Sequence, residues 1–173
     1  MRGSPTGELV FTDCEVPASA LVGQEGKAWL QLMAGLNVER LIIAAQHLGQ
    51  ARRALDDTLA YVKERKQFGR PIGSFQGVAF KIADMATEID AARLLCYRAL
   101  WMARNGDGYK MAEGSMSKLK AGRTAVWVTE RAIQILGGYG YVREYPVERF
   151  HRDAKIMDIF EGTEQIQQLV ISR

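Results

Sequence analysis

From Val78 to Ala103 the chain carries an apolar stripe that leaves it little conformational choice. Val78, Ile82, Met85, Ile89, Ala92, Cys96, Ala99 and Ala103 recur in alternating steps of four and three. A strand, whose side chains alternate with a period of two, cannot put such a set on one face; a helix can. The stripe is narrow, as in helices that pack lengthwise against other helices. N-G-D-G at Asn105–Gly108 supplies the stop.

Two flanking segments repeat the theme. From Lys27, residues Trp29, Leu32, Leu36, Ile43, Leu48, Ala51, Leu55 and Leu59 follow helical spacing, and no proline interrupts before Pro71. This predicts one helix of about 35 residues, ended by the glycines and proline of R-K-Q-F-G-R-P-I-G. A third helix is predicted from Met111 to Leu136, with Leu119, Gly122, Val126, Ile133 and Leu136 on one face, stopped by G-G-Y-G-Y. A short helix is expected after Pro146 and a last one from Thr163. The predicted fold is mainly α: an antiparallel up-down four-helix bundle of long helices in residues 27–173. Residues 1–26 differ. E-L-V-F-T-D-C-E-V-P alternates like a strand and A-L-V-G-Q-E-G is turn-rich, so this stretch reads as the tail of a β domain.

Composition excludes several classes. The chain has 173 residues and a net charge of +3, with no basic-aromatic stripe, so nucleic acid is not an expected partner. No apolar run approaches the ~20 residues of a membrane span. Cys14 and Cys96 match no metal-ligand spacing, so no metal is expected. M-R-G-S-P-T-G-E lacks an apolar signal core, and a reducing, cytoplasmic setting is the default expectation.

Four strings carry candidate chemistry, each with a bland alternative. L-G-G-Y-G-Y (Leu136–Tyr141) follows a helix, unlike a dinucleotide fingerprint, so a helix cap competes with close backbone approach to a ligand. E-R-K-Q-F-G-R-P (Glu64–Pro71) sets Arg65, Lys66 and Arg70 around Phe68. That group suits an anionic ligand with a flat ring, or equally a helix C-terminal dipole. L-N-V-E-R-L puts Glu39 and Arg40 beside the apolar L-I-I-A-A, at a solvated face or the edge of a buried one. In I-F-E-G-T-E-Q, Thr163 is a natural N-cap. The helix dipole would favour the Glu161 anion, while Ile159 and Phe160 would desolvate it and raise its pKa.

In order, E-R-K-Q-F-G-R-P-I-G-S-F-Q, Q-I-L-G-G-Y-G-Y, E-Y-P-V-E-R-F-H-R-D-A-K-I and F-E-G-T-E-Q-I-Q resemble the C-terminal half of the acyl-CoA dehydrogenases. The resemblance covers nearly the whole chain, with residues 1–26 matching the end of the family's middle β domain. It implies an FAD-dependent enzyme that takes the α-hydrogen of an acyl-CoA as a proton and the β-hydrogen as hydride, giving a trans-2-enoyl-CoA. Glu161 stands at the family's base position, its backbone N–H, with a flavin ribityl hydroxyl, would bind the thioester carbonyl, and Gly162 would contact the substrate. A subset of the family instead has its base at the position of Glu39, so Glu39 is the alternative. Arg65 matches the arginine on the FAD pyrophosphate of a neighbouring subunit, and Phe68, Phe75 and Gln76 match the same cross-subunit contact. Gln134, Gly137 and Gly138 match the adenosine-pyrophosphate segment. Thr163 and Gln165 match FAD contacts, and Arg40 an arginine near the CoA. Where the family commonly has tyrosine before the base, this chain has Phe160.

The implied partners are electron-transfer flavoprotein and further subunits, as a homo-oligomeric dimer of dimers or with a separate N-terminal half. The implied location is cytoplasmic, or the mitochondrial matrix. Alternatives on the same fold are an acyl-CoA oxidase and a non-catalytic bundle that completes a partner's FAD site. Without the two preceding domains, the chain alone is expected to bind FAD poorly.

Overall fold

The computed structural model describes residues 1, 3–106 and 111–173; the side chain of Met111 is outside the description, as are Asp107 and Gly108 of the predicted stop. In chain order it contains α1 (Ala28–Glu64), a hairpin of β1 (Lys66–Gln67) and β2 (Arg70–Pro71), α2 (Gln76–Asn105), α3 (Met111–Leu136), a single turn α4 (Gly138–Tyr141), α5 (Val147–Ile159) and α6 (Glu164–Ile171). The three long helices fall where the stripes put them. Gly106 ends α2 in the left-handed conformation with φ 69°, its N–H donating to the Met102 carbonyl. The fourth side of the bundle is taken by the α5–α6 pair.

α3 is the central helix and packs against α1, α2, α5 and α6. Its buried face differs from the predicted one. Ser115, Lys118, Ala121, Ala125, Val128, Thr129, Ala132 and Leu136 are buried, whereas Leu119, Val126 and Ile133 are only half-buried. The reason is steric: a helix surrounded by others needs small residues at the lines of closest approach, and the larger apolar residues fill the flanks. Gly122 is the extreme case, because a Cβ there would stand 2.6 Å from Asp158 Oδ1 on α5. The main core joins Ala51, Ala54 and Leu55 of α1, Met85 and Ile89 of α2, Ala125, Val128 and Ala132 of α3, and Val147 and Ala154 of α5.

The α1 stripe also needs correction. Its buried face begins at Arg40 and Leu41 and runs through Ile43, Ala44, His47, Ala51, Leu55 and Val62. Trp29 and Leu32, read as core, are exposed at 67% and 52%. At 1.5 Å per residue the 37-residue α1 is about 55 Å long and the 26-residue α3 about 39 Å, so the first turns of α1 extend past the helix they would pack on.

The strand-like alternation of the N-terminal stretch forms no ladder in this structure. Among the described residues of 1–26 there is no strand, only a 3-10 turn at Ala18–Ala20, and Leu9, Val10, Phe11 and Val16 are exposed. A strand exists only through its ladder, and no strand among the described residues pairs with that segment. The strands that do form, β1 and β2, pair Lys66 with Pro71 and Gln67 with Arg70. They are joined by Phe68 and Gly69, both with positive φ (53° and 82°), the geometry of a two-residue primed turn. Among the described residues no helix is long and apolar enough to cross a membrane, and no cluster of side chains has metal-binding spacing.

Candidate functional site

The α5–α6 junction is a tightly held turn. α5 ends as the Phe160 N–H donates to the Ile156 carbonyl at 3.2 Å. The backbone then reverses through Glu161 (φ 57°) and Gly162 (φ 97°). Thr163 caps α6, its Oγ1 accepting the Ile166 N–H at 3.4 Å. A left-handed conformation costs a residue with a Cβ ~1–2 kcal/mol, so something must hold Glu161 in it.

Two buried side chains do so. Gln167 donates from Nε2 to the Glu161 carbonyl at 3.1 Å and to the Gly162 carbonyl at 2.9 Å. Lys118, reaching over from α3, donates from Nζ to the Gly162 carbonyl at 2.6 Å and to the Asp158 carbonyl at 3.3 Å. Lys118 is 2% exposed and Gln167 1%. Asp158, also buried, accepts from Lys155 Nζ at 3.0 Å. Both carbonyls of the turn thus face inward. Among the described residues no backbone acceptor takes the Glu161 N–H.

The Glu161 carboxyl is half-buried and meets Glu39 of α1. Burial is the largest influence on it. The hydrogen bond with Glu39 and then the Glu39 charge add to burial, and all three raise its pKa; Lys118 and Arg40 act in the opposite sense. Burial pushes Lys118 down, with Asp158 and Glu161 pushing back. Arg40 is 3% exposed and donates from Nη1 to Asn37 Oδ1 at 3.3 Å. Two turns further along α1, the fully buried His47 donates from Nδ1 to the Ile43 carbonyl at 3.0 Å, and burial lowers its pKa to about 4. Glu39, Arg40, Glu161, Gly162 and Thr163, singled out in the sequence on separate strings, therefore belong to one region. Gln165 lies on the exposed side of α6.

A second region is an open groove of about 980 Å³ between the end of α1, the β1–β2 hairpin and the end of α3, lined by Arg65, Phe68, Phe75, Gly137, Gly138 and Tyr139 among others. Gly137 is both a cap and part of a surface. Its N–H donates to the Ile133 carbonyl at 3.0 Å, which closes α3. Yet a Cβ on Gly137 or Gly138 would meet nothing within 4 Å, whereas one on Gly140 would strike the Ile133 carbonyl oxygen at 2.6 Å. Internal packing explains Gly140 but not Gly138, so Gly138 is free to serve close approach from outside. Arg65 lies with its guanidinium carbon 5.7 Å from the Tyr139 ring centre, and no carboxylate pairs with it among the described residues. Phe68 stands at the hairpin tip, 91% exposed, edge-on to Phe75 at 6.1 Å. A free guanidinium, bare backbone and exposed aromatic rings fit a pyrophosphate joined to flat rings, as in FAD. Gln76 and Gln134 are exposed beside this groove rather than in its lining.

Sequence reasoning missed Lys118, Gln167, His47 and Asp158. One signal was present: Lys118 lies in register with Ser115, Gly122, Ala125 and Thr129, on the inward side of α3, where a lysine needs a buried reason.

Comparison with known proteins identifies the family. The family profile described as "Acyl-CoA dehydrogenase, C-terminal domain" matches residues 26–173. The acyl-CoA dehydrogenase of Bacillus subtilis is 50% identical over 173 residues, all of this chain and 45% of that protein. The short-chain specific acyl-CoA dehydrogenase of Clostridium acetobutylicum is 48% identical over 172 residues, 99% of this chain and 45% of that protein. The structure of butyryl-CoA dehydrogenase from Megasphaera elsdenii superposes with a TM-score of 0.90 at 45% identity, covering 94% of this chain and 42% of that one. The chain spans less than half the length of the relatives it matches. It belongs to the acyl-CoA dehydrogenase family and corresponds to the C-terminal domain of that family.

Proposed function

We propose that this chain is the C-terminal part of an FAD-dependent acyl-CoA dehydrogenase, with Glu161 as the base that removes the α-proton of an acyl-CoA thioester. The observation that carries this reading is the Glu161 turn itself. A glutamate is kept in a left-handed conformation, with its carbonyl bound inward and its carboxyl pKa raised by burial and by Glu39. A thioester α-proton is a weak acid, so a base of raised pKa suits its removal better than an ordinary surface carboxylate. The Glu161 N–H is available to the thioester carbonyl, where enolate-like charge develops. Arg40 adds positive charge close by. Bound FAD supplies the acceptor for the β-hydrogen and its electron pair. Arg65, Phe68, Phe75, Gly137 and Gly138 would hold that cofactor at the groove, and Thr163 and Gln165 would touch it from α6.

Short acyl chains are the favoured substrate class, because the similar proteins include a short-chain specific acyl-CoA dehydrogenase and a butyryl-CoA dehydrogenase. Electron-transfer flavoprotein is the proposed acceptor. Further subunits and the remainder of the enzyme, including a β domain that residues 1–26 would complete, are the proposed cover for the apolar residues left bare. Those residues include Trp29, Leu30 and Leu32 on α1 and Leu94, Tyr97 and Trp101 on α2. A cytoplasmic or matrix location is proposed with them.

One observation favours a second assignment of the base: the Glu39 carboxyl lies close enough to Glu161 to raise its pKa. The test is anaerobic flavin bleaching by butyryl-CoA in the FAD-loaded enzyme containing this chain, with Glu161→Gln compared with Glu39→Gln. Loss of bleaching in Glu161→Gln with retention in Glu39→Gln is expected. The reverse pattern transfers the role to Glu39.

A further inference from the structure

Lys118 is chemically out of place unless it acts on the turn it touches. It is 2% exposed, and desolvating an ammonium is costly without compensation. It forms no hydrogen bond to a carboxylate among the described residues; its Nζ goes to two main-chain carbonyls, those of Asp158 and Gly162, on either side of Glu161. The chain around it is arranged to let it reach. Gly122, one turn along α3, has no side chain, and the Asp158 carboxylate occupies the space a Cβ would take.

We propose that Lys118 is the positioning residue of the base: its Nζ clamps α5 to the Gly162 carbonyl, fixing the left-handed Glu161–Gly162 step and keeping a cation beside the Glu161 carboxyl. The proposal rests on Glu161 being the base. Two effects follow. The clamp sets where the carboxyl points, and geometry at a reacting centre is worth up to ~100-fold for a displacement of about 1 Å. The charge favours the ionised carboxylate, opposing the burial and the Glu39 carboxyl that favour the protonated form. The charged groups around this pair are Glu39 and Arg40 of α1, Asp158 of α5 and Glu164 of α6, with His47 of α1 close to Lys118. Gln167, from α6, shares the Gly162 carbonyl with Lys118 and also holds that of Glu161, but carries no charge. Geometry and charge can therefore be separated by substitution at position 118.

The experiment uses the FAD-loaded enzyme containing this chain and compares Lys118→Met, Lys118→Gln and Lys118→Arg with wild type and Glu161→Gln. FAD content and Tm are measured first, then kcat and kcat/KM for butyryl-CoA against pH. The expected result is a fall in kcat of about 10- to 100-fold in Lys118→Met with KM little changed, since a charged hydrogen bond is lost from the turn. In Lys118→Gln the acidic limb of kcat/KM moves to higher pH, because the cation that lowered the Glu161 pKa is gone. Lys118→Arg returns the limb to its wild-type position and restores part of kcat. A Lys118→Met enzyme with full FAD, kcat near wild type and an unmoved limb overturns the proposal. So does loss of FAD from both neutral variants with Lys118→Arg normal, which would make Lys118 a purely structural residue. Bleaching retained in Glu161→Gln refutes the base assignment instead, whatever the lysine variants do.

Discussion

Replacing Gly162 by alanine tests how firmly the base turn is held. At φ 97° a side chain is strained in any rotamer, and the new Cβ would stand 2.6 Å from Gln167 Nε2 and 3.2 Å from Ile166 Cγ2. The backbone strain costs about 1–3 kcal/mol. Pushing the Gln167 amide aside also removes its hydrogen bonds to the Glu161 and Gly162 carbonyls, about 0.5–1.5 kcal/mol each. The sum is about 2–6 kcal/mol, enough to favour local opening of the turn over global unfolding. Hydrogen exchange across residues 158–167 of the FAD-loaded enzyme is the assay. At about 1.4 kcal/mol per decade, protection there should fall by about 30-fold to 20,000-fold, while α2 is unaffected. Flavin bleaching by butyryl-CoA should slow with it. Unchanged protection in this segment would refute the claim that Gln167 and the glycine conformation jointly hold the turn.

His47 makes the fold sensitive to acid. Its folded pKa of about 4 lies below the ordinary 6.5, so its contribution to stability is fully present above pH 6.5 and is lost as pH falls toward 4. The difference corresponds to on the order of 3 kcal/mol, and urea midpoints measured between pH 7 and 4 should fall with a steepness that His47→Asn reduces. The cysteines should separate in a thiol titration: exposed Cys14 reacts in the folded protein, while Cys96, buried with its thiol pushed up to about 11, reacts only after unfolding.

The parts of this structure that were legible in the sequence are those whose stabilising partners are repeated along one element. α2 keeps an apolar residue at each inward step from Met85 to Ala99, so its helix and its face can both be read locally. α3 has several neighbours, and its buried line is built from alanines, serines and threonines whose inward position depends on helices far away in sequence. That is why the larger Leu119, Val126 and Ile133 misled by a residue. The first turns of α1 have the right spacing but no neighbour to pack on, which periodicity cannot reveal.

The site divides in the same way. Glu161 and Thr163 announce themselves as a glutamate and a cap at a helix start. The meeting of Glu161 with Glu39, more than a hundred residues earlier, depends on how α1 lies against the α5–α6 corner. Lys118 and Gln167 were missed because they bind main-chain carbonyls, and a carbonyl leaves no mark in the sequence.

Exchange of the substrate α-hydrogen with solvent isolates the step on which the account depends. Butyryl-CoA incubated in deuterium oxide with the FAD-loaded enzyme containing this chain, followed by NMR, reports proton removal at the α-carbon directly. Wild type and Glu39→Gln are predicted to wash the α-hydrogen out, and Glu161→Gln to leave it in place. Wash-out that persists in Glu161→Gln would contradict the account.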